Sequence, residues 1–71
     1  MTPERFSAIA RLISMRGGAS QEAARLVLVE GLRPIEAARR TGVSAQAVCN
    51  AVARVRRAEA ILAGLVGTEH D

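Results

Sequence analysis

Residues 34–57 read PIEAARRTGVSAQAVCNAVARVRR and predict two helices joined by a tight turn. Pro34 suits the first position of a helix, because its missing N–H would have no partner there. Gly42 can adopt the left-handed conformation that ends a helix, and Ser44 is a good N-cap for the next one. Val43 is a lone apolar residue in the turn, placed to fill the gap between the helices. A small residue, a glycine and an apolar residue in this order are typical of a helix-turn-helix.

The helix that begins near Ala45 carries two apolar stripes. The first consists of Val48, Ala51, Val52 and Val55. At ~100° per residue these side chains share one face, which is expected to be buried. Beyond Arg57, a stripe rotated by roughly a quarter turn follows, and Glu59 occupies the position where the first would continue. This second stripe consists of Ala58, Ile61, Leu62 and Leu65. A kink, a separate fifth helix or a surface that packs on a second subunit would each explain the rotation.

Two further helices are predicted ahead of this motif. The first, over residues 3–15, is capped by Thr2, stopped by two glycines and buried through Phe6, Ile9, Ala10 and Ile13. The second, over residues 21–30, is capped by Ser20 and ends at Gly31. The fold class is therefore an all-α domain of four to five helices. Residues 1–57 form the helix-turn-helix domain, and residues 58–71 form a C-terminal helical dimerisation segment with an acidic tail.

Composition limits the core and the class of protein. The chain has 71 residues, of which 49% are hydrophobic, but its only aromatic residue is Phe6. A core this thin is marginal for a lone domain, so dimerisation is expected on physical grounds. Cys49 is the only cysteine, which excludes an intrachain disulfide and fits a reducing cytoplasm. The sequence shows no signal-peptide core or membrane-spanning run, so a cytoplasmic, DNA-associated protein without membrane contact is expected.

The charge is distributed unevenly along the chain. The net charge is +3, and every basic residue is an arginine. Residues 33–57 hold six arginines and one glutamate, whereas residues 58–71 carry a net charge of −3. Such a run of charges is usually only a solvent-exposed face. The concentration of the arginines on one motif instead favours a polyanion as the binding partner.

Double-stranded DNA is the polyanion that a helix-turn-helix binds, with its second helix in the major groove. The side chains predicted to meet base edges are Ser44, Ala45, Gln46, Cys49 and Asn50. Glutamine and asparagine can donate and accept at once, which matches the major-groove edge of adenine, and Ala45 or Cys49 could meet a thymine methyl group. The predicted phosphate contacts are Arg33, Arg39, Arg40, Arg54, Arg56 and Arg57. Gln46 and Asn50 could instead be ordinary exposed polar residues, and Cys49 a small filler.

An enzyme is the main competing class, and the sequence argues against it. The chain has one histidine, His70 in the acidic tail, and no clustered carboxylates, phosphate-binding glycine loop or metal-ligand spacing. No cofactor, metal or small-molecule ligand is therefore expected.

The run QEAARLVLVEGLRPIEAARRTGVSAQAVCNAVARV resembles the KorA/TrfB-type transcriptional repressors of bacterial plasmids. The segments ARLVLVEG and GVSAQAVCNAVARV carry this resemblance, which covers roughly residues 6–57. It implies an all-helical repressor that binds palindromic operators as a homodimer and controls plasmid maintenance or transfer genes. The residue after the N-cap is often arginine in that family and is Ala45 here. Dimerisation would use residues 58–66, with Ala58, Ile61, Leu62, Leu65 and Val66 at the interface, or another surface.

Two other classes of binding protein remain as hypotheses. One is a helical protein-interaction module, such as an adaptor or anti-activator, that uses the C-terminal apolar stripe on a protein partner. The other is non-specific nucleoid or RNA binding. The near absence of aromatic side chains argues against single-strand binding, which uses rings as stacking platforms.

Overall fold

A computed structural model describes residues 1–15 and 17–67, with side chains as far as residue 64. This part of the chain forms four helices and no strand. They are α1 (Pro3–Leu12), α2 (Ala19–Leu28), α3 (Pro34–Thr41) and α4 (Ala45–Gly67). The prediction of a small all-α fold is confirmed, with four helices rather than five.

Side chains cap two of the helices as predicted. The Thr2 hydroxyl accepts a hydrogen bond from the Arg5 N–H at 3.1 Å at the start of α1. The Ser44 hydroxyl accepts one from the Ala47 N–H at 3.1 Å at the start of α4. The start of α2 differs, because Gly18 is its N-cap and makes no side-chain cap. The prediction that Ser20 caps α2 is wrong, since Gly18 takes a φ of 114° that only glycine reaches easily and the helix is already formed at Ala19.

Left-handed residues follow three of the helices, and after α2 the residue is Gly31, with φ 81°. Gly42, with φ 80°, follows α3 and donates its N–H to the Ala38 carbonyl at 2.9 Å, as the sequence predicted. Helix α1 ends at Leu12, three residues before the predicted end. Ser14 there has φ 58°, and the Met15 N–H donates to the Ala10 carbonyl at 2.8 Å. The first helix therefore ends at a serine in the left-handed conformation, which L residues adopt only at an energetic cost.

The N-terminal half of α4 packs against α2 and α3. Ala23, Ala37 and Val48 are fully buried where these three helices meet, and Leu26 completes the cluster. Alanine at the crossing lets the backbones approach closely, so two short helices hold α4 firmly. Val43 packs against the same cluster from the turn, which confirms its predicted role.

The middle of α4 packs against α1 and, through Ala24, against α2. This second cluster consists of Phe6, Ile9, Ala10, Ala24, Ala51, Val55 and Ala58. Ala58 and Leu62 follow Val55 at spacings of three and four residues, so the buried face of α4 continues without rotation past Arg57 in one helix, and Ile61 lies outside it. The rotated stripe is therefore not the buried face, and α4 needs neither a kink nor a fifth helix. Glu59 is tolerated beside the core because the Arg5 guanidinium donates to its carboxylate at 2.9 Å.

None of the helices within residues 1–15 and 17–67 combines the length and the apolar character needed to cross a lipid bilayer.

Candidate nucleic-acid interface

The N-terminal half of α4 presents a polar face to solvent. Val48 and Ala51 are buried, so the helical period turns the side chains between them outward. We call this polar face the reading face, and its exposed side chains are Gln46, Cys49, Asn50 and Ala53. Ala53 is small, so the face carries no bulky group that would keep a groove wall at a distance. The structure thus brings together the predicted base-contacting residues of this helix.

Two of these side chains are already joined. Gln46 Nε2 donates a hydrogen bond to Asn50 Oδ1 at 3.1 Å, one helical turn further on. The bond uses one donor of the glutamine and one acceptor site of the asparagine. The glutamine oxygen and the asparagine NH₂ group stay available, so the pair still offers an acceptor and donors side by side.

Ser44 and Ala45 lie where the turn enters the reading face. Both residues are exposed. The Ser44 oxygen accepts the capping bond from Ala47, yet its O–H can still donate. Ala45 offers only a methyl group. The first N–H groups of α4 lie at the same end and lack intrahelical partners, which makes this end attractive to an anion.

All six predicted phosphate-contacting arginines are exposed. Arg33 is the N-cap residue of α3, and Arg39 and Arg40 occupy its last turn, where they also suit the helix dipole. The three arginines of α4 lie on two different sides of the helix. Arg54 and Arg57 lie beside Ile13 of α1, whereas Arg56 lies beside Met1 and Glu59.

Ion pairs within residues 1–15 and 17–67 leave these six arginines unneutralised. The three salt bridges are Arg5–Glu59, Arg25–Glu22 and Arg25–Glu30. Hydrogen bonds from Arg25 lower the pKa of the Glu22 carboxyl group. Hydrogen bonds to Glu22 and Glu30 in turn raise the pKa of the Arg25 guanidinium. The paired charges thus belong to α1, α2, Glu30 and Glu59, while the helix-turn-helix keeps its positive field.

The predicted dimerisation residues have different surroundings. Ala58 is buried in the core of its own chain, and Leu62 is half-buried against that core. Ile61 is 58% exposed. The side chains of Leu65 and Val66 and the acidic tail, including His70, lie outside the part of the chain that the structure describes.

The sequence pattern missed some neighbours of these residues. Nothing in it indicated that Ile13 would lie beside Arg54 and Arg57, because that contact depends on how α1 crosses α4. Leu12 and Ile35 are exposed by 62% and 54%.

Comparison with known families agrees with this geometry. The family model described as KorA, TrfB plasmid transcriptional repressor, matches residues 1–67. The matched span contains all four helices and therefore the whole reading face. No curated protein and no solved structure matches the chain. Repressors of this family act by binding DNA and are not enzymes, as the sequence predicted. The chain belongs to the KorA/TrfB family of plasmid transcriptional repressors and is a DNA-binding repressor.

Proposed function

We propose that this repressor binds a palindromic double-stranded operator as a homodimer and represses plasmid maintenance or transfer genes by occupying their promoters. One observation carries the proposal. Helix α4 is a single rod, with the polar reading face at its start and the exposed Ile61 side chain towards its end. Because this helix is continuous, a dimer contact near its end would fix the distance and the angle between the two reading faces.

Sequence reading would fall to the α4 side chains. In the major groove, the joined Gln46 and Asn50 amides suit the adenine edge, which presents one acceptor and one donor. The exposed Ala45 and Cys49 side chains suit a thymine methyl group. Phosphates on either side of the groove would be held by Arg54 and Arg56, which leave α4 on opposite flanks.

The length of α4 is compatible with a twofold site. Val48 and Leu62 are fourteen positions apart. At ~1.5 Å per residue this is about 21 Å, so two helices meeting near Leu62 can separate their reading faces by as much as about 42 Å. Successive major grooves on one side of DNA are ~34 Å apart, which lies within that reach.

The alternative of a protein-interaction module has less support. Ala58 and Leu62 contribute to the core of their own chain, which leaves only Ile61 well exposed among the described residues of the second stripe. Family membership also requires DNA binding as the main activity.

Selection of duplexes from a random pool tests the proposal most directly. We expect enriched sequences with two inverted half-sites whose centres lie about one helical turn apart. Enrichment of a single unrepeated half-site would contradict the homodimer. A pool that shows retention at low salt but no enrichment would contradict sequence reading. Substitution of Gln46 or Asn50 should change the preferred bases within each half-site and leave the spacing between half-sites intact.

A further inference from the structure

Glu59 on α4 has two neighbouring arginines. Arg56 precedes it by three positions on the same helix, and the two residues line one shallow groove together with Val27 and Leu28 of α2. The Arg5 guanidinium of α1 donates from Nε to Glu59 Oε2 at 2.9 Å. The carboxylate is therefore held by α1 and not by its neighbour on α4.

Arg56 is the cation that Glu59 would meet on its own helix. Residues three apart on a helix have Cβ atoms ~5–6 Å from each other, so an arginine and a glutamate at this spacing attract each other. Within residues 1–15 and 17–64 the three salt bridges involve other arginines, which leaves Arg56 without a carboxylate partner. The amino group of Met1 lines the same groove but is hydrogen-bonded to the Leu28 carbonyl at 3.2 Å. Release of Glu59 from Arg5 would therefore turn its charge towards Arg56.

We propose that Arg5 is a positioning residue for DNA binding, which acts through Glu59 and keeps Arg56 free for a phosphate. A carboxylate paired with Arg56 would cancel the charge that the phosphate meets, and an unpaired carboxylate beside it would repel the phosphate. The inference rests on the Arg56 phosphate contact of the proposed function. It gives a residue outside the helix-turn-helix an indirect role in DNA binding.

The place of Arg5 in the fold separates it from the reading face. Its side chain lies beside Leu62 and Ala63, towards the end of α4. Asn50 and Leu62 are twelve positions apart, which is about 18 Å along the helix axis. Arg56 is six positions from Asn50, or about 9 Å along the same axis. The phosphate contact therefore falls to Arg56, and Arg5 influences it through the carboxylate between them.

Salt-dependent DNA binding tests this role, with an unrelated duplex as the probe, because phosphate contacts carry no sequence information. Arg5→Ala should release Glu59, whereas Arg5→Lys should still hold it. Arg11→Ala removes the same charge from an exposed site on the same helix and is the matched control. The Thr2 cap uses the backbone N–H of Arg5, so a side-chain substitution leaves it in place. Circular dichroism melting establishes that each variant is folded.

We expect Arg5→Ala to bind about threefold more weakly than Arg11→Ala at low ionic strength, since an exposed ion pair forms at Arg56 in each copy of the chain. The slope of log K against log salt should flatten by up to about one unit more per copy bound than in Arg11→Ala. Arg5→Lys should bind like the unaltered chain.

Removal of the carboxylate should rescue the Arg5→Ala variant. In that background Glu59→Gln should restore the salt slope, because no carboxylate is left beside Arg56. Glu4→Gln in the same background gives an equal net charge through an exposed site on α1 and should not restore it. When Arg56→Ala is already present, Arg5→Ala should have no more effect than Arg11→Ala.

Rescue by Glu4→Gln as large as that by Glu59→Gln would overturn the positioning role, because net charge alone would explain both. Equal weakening by Arg5→Ala and Arg11→Ala would overturn it as well. If Arg56→Ala leaves the salt slope unchanged, the Arg56 phosphate contact is refuted and the positioning role with it. If Arg56→Ala flattens the slope but Glu59→Gln gives no rescue, only the positioning role is refuted, so the two failures are distinguishable.

Discussion

Gln46 Nε2 lies 3.1 Å from Asn50 Oδ1, so the two amides of the reading face form one hydrogen-bonded unit. Because each orients the other, their contributions to base reading are expected to be coupled. Gln46→Ala or Asn50→Ala should each weaken operator binding by about 1–3 kcal/mol. The double variant should lose less than the sum, by about 0.5 kcal/mol or more.

A double-mutant cycle on the selected operator measures this coupling. Binding to an unrelated duplex is the control, and it should change little because phosphates supply most non-specific affinity. Strict additivity would show that the two amides act independently on DNA. Equal losses on both duplexes would argue against base reading.

The arginines of α4 should bind DNA phosphates whatever the base sequence of the DNA. Arg54→Ala is expected to weaken binding to operator and unrelated DNA alike, because a phosphate contact carries no sequence information. The slope of log K against log salt should flatten by about one unit for each phosphate that the variant no longer neutralises. Arg11→Ala, at an exposed position in the last turn of α1, is the matched control. If Arg11→Ala changes the salt slope as much, the effect comes from net charge and not from a defined contact.

Cys49 is an exposed thiol on the reading face, which makes it a probe of the interface. Alkylation with N-ethylmaleimide adds bulk where α4 would enter the groove, so it should abolish specific binding. Bound operator should in turn slow the alkylation. Cys49→Ala should keep most of the affinity and become insensitive to the reagent. Full operator binding by the alkylated protein would place Cys49 outside the interface.

Ser14 ends α1 with φ 58°, which burdens the folded state with an unfavourable conformation. Ser14→Gly should raise the free energy of unfolding by about 0.5–1 kcal/mol, since removal of the Cβ clash exceeds the added chain entropy. Ser7→Gly, exposed within α1, should lower it by about 0.5 kcal/mol. Thermal or urea unfolding at one protein concentration compares the two. A loss of stability in both variants would contradict the strain at Ser14.

Acid should weaken the ion pairs on α2. The pKa of Glu22 is lowered by its hydrogen bonds from Arg25, so its contribution to stability is present above its ordinary pKa of 4.5 and is lost as pH falls through the lowered value. The effect is small because the pair is exposed. Glu22→Gln should therefore flatten stability against pH below about 4.5. Urea unfolding across the acid range compares this variant with the unaltered chain, and parallel curves would contradict the prediction.

The helices and the caps at Thr2 and Ser44 could be predicted from the sequence because they depend on neighbours in the chain. Gly42 and Ser44 mark the turn through backbone preference and a hydrogen bond three residues away, and both roles hold in the structure. The boundaries of α1 and α2 could not be predicted as well. Ser14, with φ 58°, and Gly18, with φ 114°, set these boundaries through backbone conformations that residue type alone does not fix.

The sequence by itself determined the helix-turn-helix, its polar reading face and the concentration of arginines, since all three follow from helical period and residue type. Only the tertiary structure decided which apolar side chains of α4 are buried after Arg57. The reason is that the cluster formed with α1 takes up Ala58 and Leu62 and leaves Ile61 exposed, while Arg5 of α1 pairs with Glu59. Contacts between residues more than forty positions apart depend on how whole helices cross, and no local pattern encodes that geometry.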